Sequence, residues 1–102
     1  MIDVMSELDA VKTRTGAALR AAEADPDASV VLVAVVREFD QKAAKAGRIA
    51  DGDGAARDAV IELEQAGDSA KAAAEADPGL GAEALQAVQD AHLAICILKT
   101  QV

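Results

Sequence analysis

His92 and Cys96 are the only histidine and the only cysteine in the 102-residue chain, and they stand four residues apart in "DAHLAICILK". On a helix, residues at i and i+4 lie one above the other on the same face. An imidazole and a thiolate placed in this way can share one metal ion, and the donor pair suits zinc or copper. A haem or a redox role is a further chemical option for the same pair. Two ligands do not complete a site, however. The positions one turn to either side are Val88, Gln89, Ile95 and Lys99, none of them acidic. A site at this place would therefore be assembled across subunits. The alternative is that both residues belong to the stripe that packs into the core. Cysteine is among the most buried residue types, and a single histidine in such a stripe is ordinarily a hydrogen-bonded core residue. The second reading is adopted here, so no cofactor is expected.

Other fragments resemble known sites in part. The His-x3-Cys pair resembles that of the small helical copper-sensing repressors. The likeness stops at His92 and Cys96, because the further cysteine ligand and the basic DNA contacts have no counterpart. "DAHLAICILK" is similar to the phosphorylated segment of histidine phosphotransfer domains. Ile95 and Cys96 stand where those domains carry Lys-Gly, and His92 sits among apolar neighbours where in-line attack needs an exposed ring. "GDS" at 67–69 resembles the Asp-Ser of acyl carrier proteins, but Ala70 and Lys71 follow the serine. Asp51, Asp53 and Glu62 in "DGDGAARDAVIE" occupy positions one, three and twelve of a calcium loop. Position six is Ala56, where the EF-hand turn requires glycine. No phosphate-binding glycine loop and no nucleophile elbow is present, nor a second histidine for base work. The chain is read as a non-enzyme.

The elements that would position these residues are helical. "AAEADP" occurs at 21–26 and again at 73–78, 52 residues apart. Aspartate is a good N-cap and proline is tolerated at the first helical position, so each "ADP" is expected to end one helix and start the next. Four helices follow. The first covers about residues 4–24, with Val4, Leu8, Val11, Thr15, Ala18 and Ala22 on one stripe. The second covers about 28–46, with Leu32, Val35, Val36, Phe39 and Ala43. The third covers about 55–76, with Val60, Leu63, Gly67, Ala70 and Ala74, and with a kink or break at Gly67 that Asp68 could cap. The fourth covers about 82–100, with Leu85, Val88, His92, Ile95 and Cys96 together. Residues 47–54, "GRIADGDG", read as a central loop. The spacing does not fit the roughly 34-residue period of tetratricopeptide repeats. Short connections make neighbours antiparallel. The expected fold is all-α: one domain over 1–102, an antiparallel up-down four-helix bundle of two hairpins, about 4–46 and 55–100. "VVLVAVV" at 30–36 is the one segment with strand character. It reads as helix because helix formers continue it and no second run could pair with it.

Hydrophobic residues make up 52% of the chain, with one Phe and neither Trp nor Tyr. Alanine supplies much of that fraction, so the core is thin and must be closely packed. At ~25 cal/mol per Å² of buried apolar surface such a core is marginal for one small domain. Val30 and Val33 of the second helix and Leu93 and Ile97 of the fourth fall away from the core stripes. Val30, Val33, Leu93 and Ile97 are therefore expected to form an interface, most simply in a homodimer. The net charge of −8 and the scattered Lys and Arg exclude nucleic acid and anionic membrane surfaces as partners. No apolar run reaches the roughly 18 residues of a membrane span. The acidic "MIDVMSELDAV" lacks the basic start of a secretion signal, and a single cysteine agrees with a reducing compartment. These features predict a soluble cytoplasmic protein acting by protein–protein interaction, with a His92/Cys96 ligand sensor as the rival.

Overall fold

Four helices account for nearly all of the chain that the computed structural model describes, residues 4–49 and 55–101. They are α1 (Val4–Ala24), α2 (Val30–Ile49), α3 (Ala55–Ala76) and α4 (Ala82–Lys99). Each helix packs on two others, α1 and α3 both lying against α2 and α4. The result is a four-helix bundle 42 × 20 × 18 Å in extent, with α1–α3 and α2–α4 on the diagonals. Residues 50–54, including Asp51 and Asp53 of the calcium-like segment, lie outside the described residues, as does the side chain of Val4.

The valine run is helical. Ser29 starts it: the Leu32 N–H donates to the Ser29 hydroxyl at 3.0 Å, and the Val33 N–H to the Ser29 carbonyl at 3.1 Å. α2 also continues through Ile49, so residues 47–49 are helix and not loop. A Cβ on Gly47 would meet nothing within 4 Å, and Arg48 in the last turn complements the helix dipole.

The Asp-Pro corners differ from the expected caps. The capping position falls four residues later, at Ser29 and Gly81, and the aspartates build the turns. Asp25 Oδ1 accepts from the Asp27 N–H at 2.9 Å, and the Asp25 carbonyl from the Ala28 N–H at 3.2 Å. Asp77 repeats this with Gly79 at 3.0 Å and Leu80 at 3.3 Å. The second carboxylate oxygen of each crosses to the other corner. Asp25 Oδ2 accepts from the Gly81 N–H at 2.7 Å, and Asp77 Oδ2 from the Ser29 N–H at 3.0 Å. Each aspartate thus satisfies an orphan donor at the start of the other hairpin's second helix. The corners meet so closely that a Cβ on Gly79 would stand 2.8 Å from the Asp27 carbonyl oxygen.

The same offset of 52 runs through the core. Leu8, Val11, Thr15, Ala18 and Ala22 of α1 are buried, and so are Val60, Leu63, Gly67, Ala70 and Ala74 of α3. Leu32, Val36, Phe39, Ala43 and Ala46 of α2 match Ala84, Val88, Ala91, Ile95 and Leu98 of α4. The hairpins are related by an approximate two-fold, with large residues in one half answering small ones in the other. This register corrects the expected face of α4. Ala84, Ala91 and Leu98 share the core with Val88 and Ile95, while Leu85, His92 and Cys96 are half-buried on the flank. α3 does not break at Gly67. A Cβ there would lie 3.0 Å from Phe39 Cζ and 3.3 Å from Ile95 Cγ2, so the missing side chain is the seat of the aromatic ring.

Candidate functional site

The flank of α4 that carries His92 and Cys96 faces α3. In an antiparallel hairpin, residues at equal chain distance from the corner stand side by side. Asp68 and His92 are equidistant from Leu80, and the His92 Nε2 lies 2.7 Å from Asp68 Oδ1. Along the same seam Lys99 Nζ meets Glu64 Oε1 at 2.8 Å and Gln89 meets Glu75 at 3.4 Å, pairs that reach three and four residues out of that register through their long side chains. Gly67 and Ile95, held against each other in the core, are the chain neighbours of Asp68 and Cys96 and set both in the groove.

Cys96 Sγ is 3.5 Å from His92 Nε2 and 3.8 Å from Nδ1. Among the described residues, Asp68, His92 and Cys96 form a group whose ligand atoms all lie within 4.8 Å of one another. The carboxylate is thus supplied by the neighbouring helix of the same chain, which corrects the expectation that further ligands must come from another subunit. It also corrects the Asp68 cap reading. The His92 side chain is 17% exposed and that of Asp68 61%. Burial pushes the Cys96 thiol up, reinforced by the charges of Glu64 and Asp68 and opposed by Lys99 and Lys71. The thiol is therefore held protonated near neutrality. A Cys-His-acid relay also needs the acid on the ring nitrogen remote from the nucleophile. Here Nε2 is the nitrogen nearest both, so acid and thiol do not stand on opposite ring nitrogens.

The expected interface residues divide between two places. Val30 is 86% exposed at the start of α2, and its neighbour Val31 lines a shallow depression with Ala73, Ala76 and Pro78 on the α3 side. Leu93 and Ile97, 59% and 50% exposed, lie along α1 with Ala10, Val11 and Ala94, on the opposite side of the bundle. Val33 is half-buried. It shares the α2 flank with Arg37 and Asp40, which pair with Glu23 and Lys12 of α1 at 3.1 and 2.9 Å. The four residues do not make one surface.

Further ion pairs lock α2 to α3. Glu62 receives both Lys42 and Lys45, which holds its carboxyl below the usual range and raises Lys42. Glu62 thus faces α2. Among the described residues no helix is long and apolar enough to cross a membrane. No family model matches the chain, and neither a curated protein nor a solved structure shows significant similarity to it.

Proposed function

We propose that this is a non-catalytic helical-bundle protein that acts by protein–protein interaction, and that its first partner is a second copy of itself. The observation that carries this reading is the α1–α4 groove. Leu93 and Ile97 are half or more exposed there and adjoin Ala10 and Ala94, so an apolar strip runs along the seam of two helices. Glu7, Arg14 and Asp90 edge the strip. A two-fold copy laid across it brings Arg14 of one chain towards the acidic edge of the other, the self-complementarity that an isologous interface needs. This local mixture of charges matters because two chains of net charge −8 otherwise repel. The thin core gives the same direction, since among the described residues nine of the nineteen buried apolar ones are alanine.

Light scattering coupled to native mass spectrometry tests the reading. The wild type is expected at twice the 10.4 kDa chain mass. Leu93→Asp and Ile97→Asp are expected to give monomers with unchanged helical circular dichroism. A monomeric wild type, or aspartate variants that stay dimeric, would defeat it. Val30→Asp, on the far side of the bundle, is expected to leave the dimer intact.

A further inference from the structure

We propose that Asp68, His92 and Cys96 form a binding site for a zinc-class divalent cation, in the groove between α3 and α4 and within one chain. Three donors of different chemistry converge there from two helices. The packing of Gly67 against Phe39 and Ile95 fixes the backbone on which two of them stand.

The three donors, all within 4.8 Å of one another, come within reach of one tetrahedral ion once two of them turn. With Zn–N and Zn–O of about 2.0–2.2 Å and Zn–S of about 2.3 Å, the edges between donors are roughly 3.3–3.8 Å. Nε2 and Sγ are 3.5 Å apart, but Sγ is also 3.8 Å from Nδ1, so the sulfur stands beside the ring and the Cys96 side chain has to turn towards the Nε2 lone pair to meet the ion. Asp68 Oδ1, at 2.7 Å from Nε2, has to withdraw by about half an ångström to reach that spacing. Its side chain is largely exposed, so the movement meets no packed neighbour. His92 needs no such freedom and has little, being mostly buried against α3.

The donor set selects the ion. A thiolate and an imidazole are poor ligands for calcium or magnesium, which take oxygen donors. One sulfur, one nitrogen and one carboxylate suit zinc, which has no geometric demand of its own beyond four-coordination. On binding, the proton that Nε2 shares with Asp68 Oδ1 is given up, the neutral ring keeping its one proton on Nδ1, and Nε2 and the Asp68 carboxylate each donate an electron pair. Cys96 donates a third as thiolate, and its proton passes to solvent. The fourth position is left to water. Around the donors Glu64 and Glu75 are balanced by Lys99 and Lys71, with which they pair at 2.8 and 3.1 Å, so the charge offered to a cation is that of the Asp68 carboxylate and the Cys96 thiolate. This proposal is independent of the α1–α4 dimer, because α3 and α4 form the groove by themselves.

The test uses the full chain, stripped with a chelator and titrated with Co(II) and then Zn(II). Co(II) is expected to give tetrahedral visible bands and a thiolate-to-cobalt charge-transfer band, both saturating at one ion per chain. Zn(II) should displace it. Cys96→Ser should abolish the charge-transfer band. Asp68→Asn should weaken binding by about tenfold or more, by comparison with the 10–100-fold cost of losing even an outer partner. Both substitutions are nearly isosteric, and helical circular dichroism checks that each variant is folded. Absence of the charge-transfer band, its survival in Cys96→Ser, unchanged affinity in Asp68→Asn, or one ion shared between two chains would each overturn the proposal.

Discussion

Phe39 is the one aromatic residue in the sequence, and its ring rests on Gly67 with none of its surface exposed. Two effects compete when Gly67 becomes alanine. Helix propensity favours alanine by about 1 kcal/mol. Overpacking costs about 1–3 kcal/mol, and a ring enclosed on all sides cannot move aside. Gly67→Ala is expected to destabilise by about 1 kcal/mol net, read from the midpoint of urea unfolding. Gly47→Ala, where a Cβ meets open space, should shift the midpoint the other way. If Gly67→Ala stabilises as well, the seat is looser than its 3.0 Å contact implies. The sequence marks Gly67 as an irregularity, but a glycine in a helical pattern signals a kink and a close approach equally well. Asp68 was hidden for a related reason. Searching one turn either side of His92 along its own helix cannot reveal a ligand carried by the neighbour. Equal distance from the corner at Leu80 is the signal that does.

At the scale of elements, the Asp-Pro corners hold the two hairpins together. The Ser29 N–H holds the Asp77 carboxyl below its usual range; burial opposes it, and the Gly79 N–H and the Ser29 hydroxyl add smaller contributions in its favour. A carboxyl depressed in the folded state contributes stability that is complete above its unfolded value, about 3.9. That contribution is lost as pH falls through the folded value. The melting temperature should therefore drop on acidification below that range, and Asp77→Asn should flatten the drop. Glu62 and Glu75 are depressed as well, by their lysine partners first, so the comparison is the wild-type profile minus the variant profile. Superimposable profiles would show that the cross-corner bond is not felt. The helix count, the positions of the corners though not their caps, and the core faces of α1 from Leu8 onward and of α3 were legible from periodicity and from the repeated "AAEADP". The face of α4 was not, because a helix apolar nearly all round has no single stripe to read. Carrying the core of α2 forward by 52 residues places Ala84, Val88, Ala91, Ile95 and Leu98 inside, as the structure does.

For the whole molecule, the approximate two-fold raises the question of why the halves pair with each other and not each with its own kind. The answer lies in side-chain size at matched positions. Gly67 on α3 receives Phe39 from α2, and the equivalent of Gly67 on α1 is the buried Thr15. Thr15 has its own commitment, its hydroxyl donating to Asp40 Oδ1 at 2.7 Å. Two copies of the first hairpin would drive Phe39 onto Thr15 twice. Two copies of the second would set Ala91 over Gly67 twice and leave cavities, each costing on the order of 1 kcal/mol or more. The cross-corner bonds add to this, since Ser29 and Gly81 each depend on the opposite aspartate. Most helical stability in a protein comes from packing an amphipathic face, and alanine-rich pairs gain little from packing alone. Peptides spanning residues 4–49 and 55–101 should therefore each show weak helical circular dichroism. An equimolar mixture should regain the helicity of the intact chain, with a one-to-one mass. A first hairpin that is strongly helical and dimeric by itself would show that threonine at position 15 accommodates the ring. The size complementarity would then not be what binds the halves together.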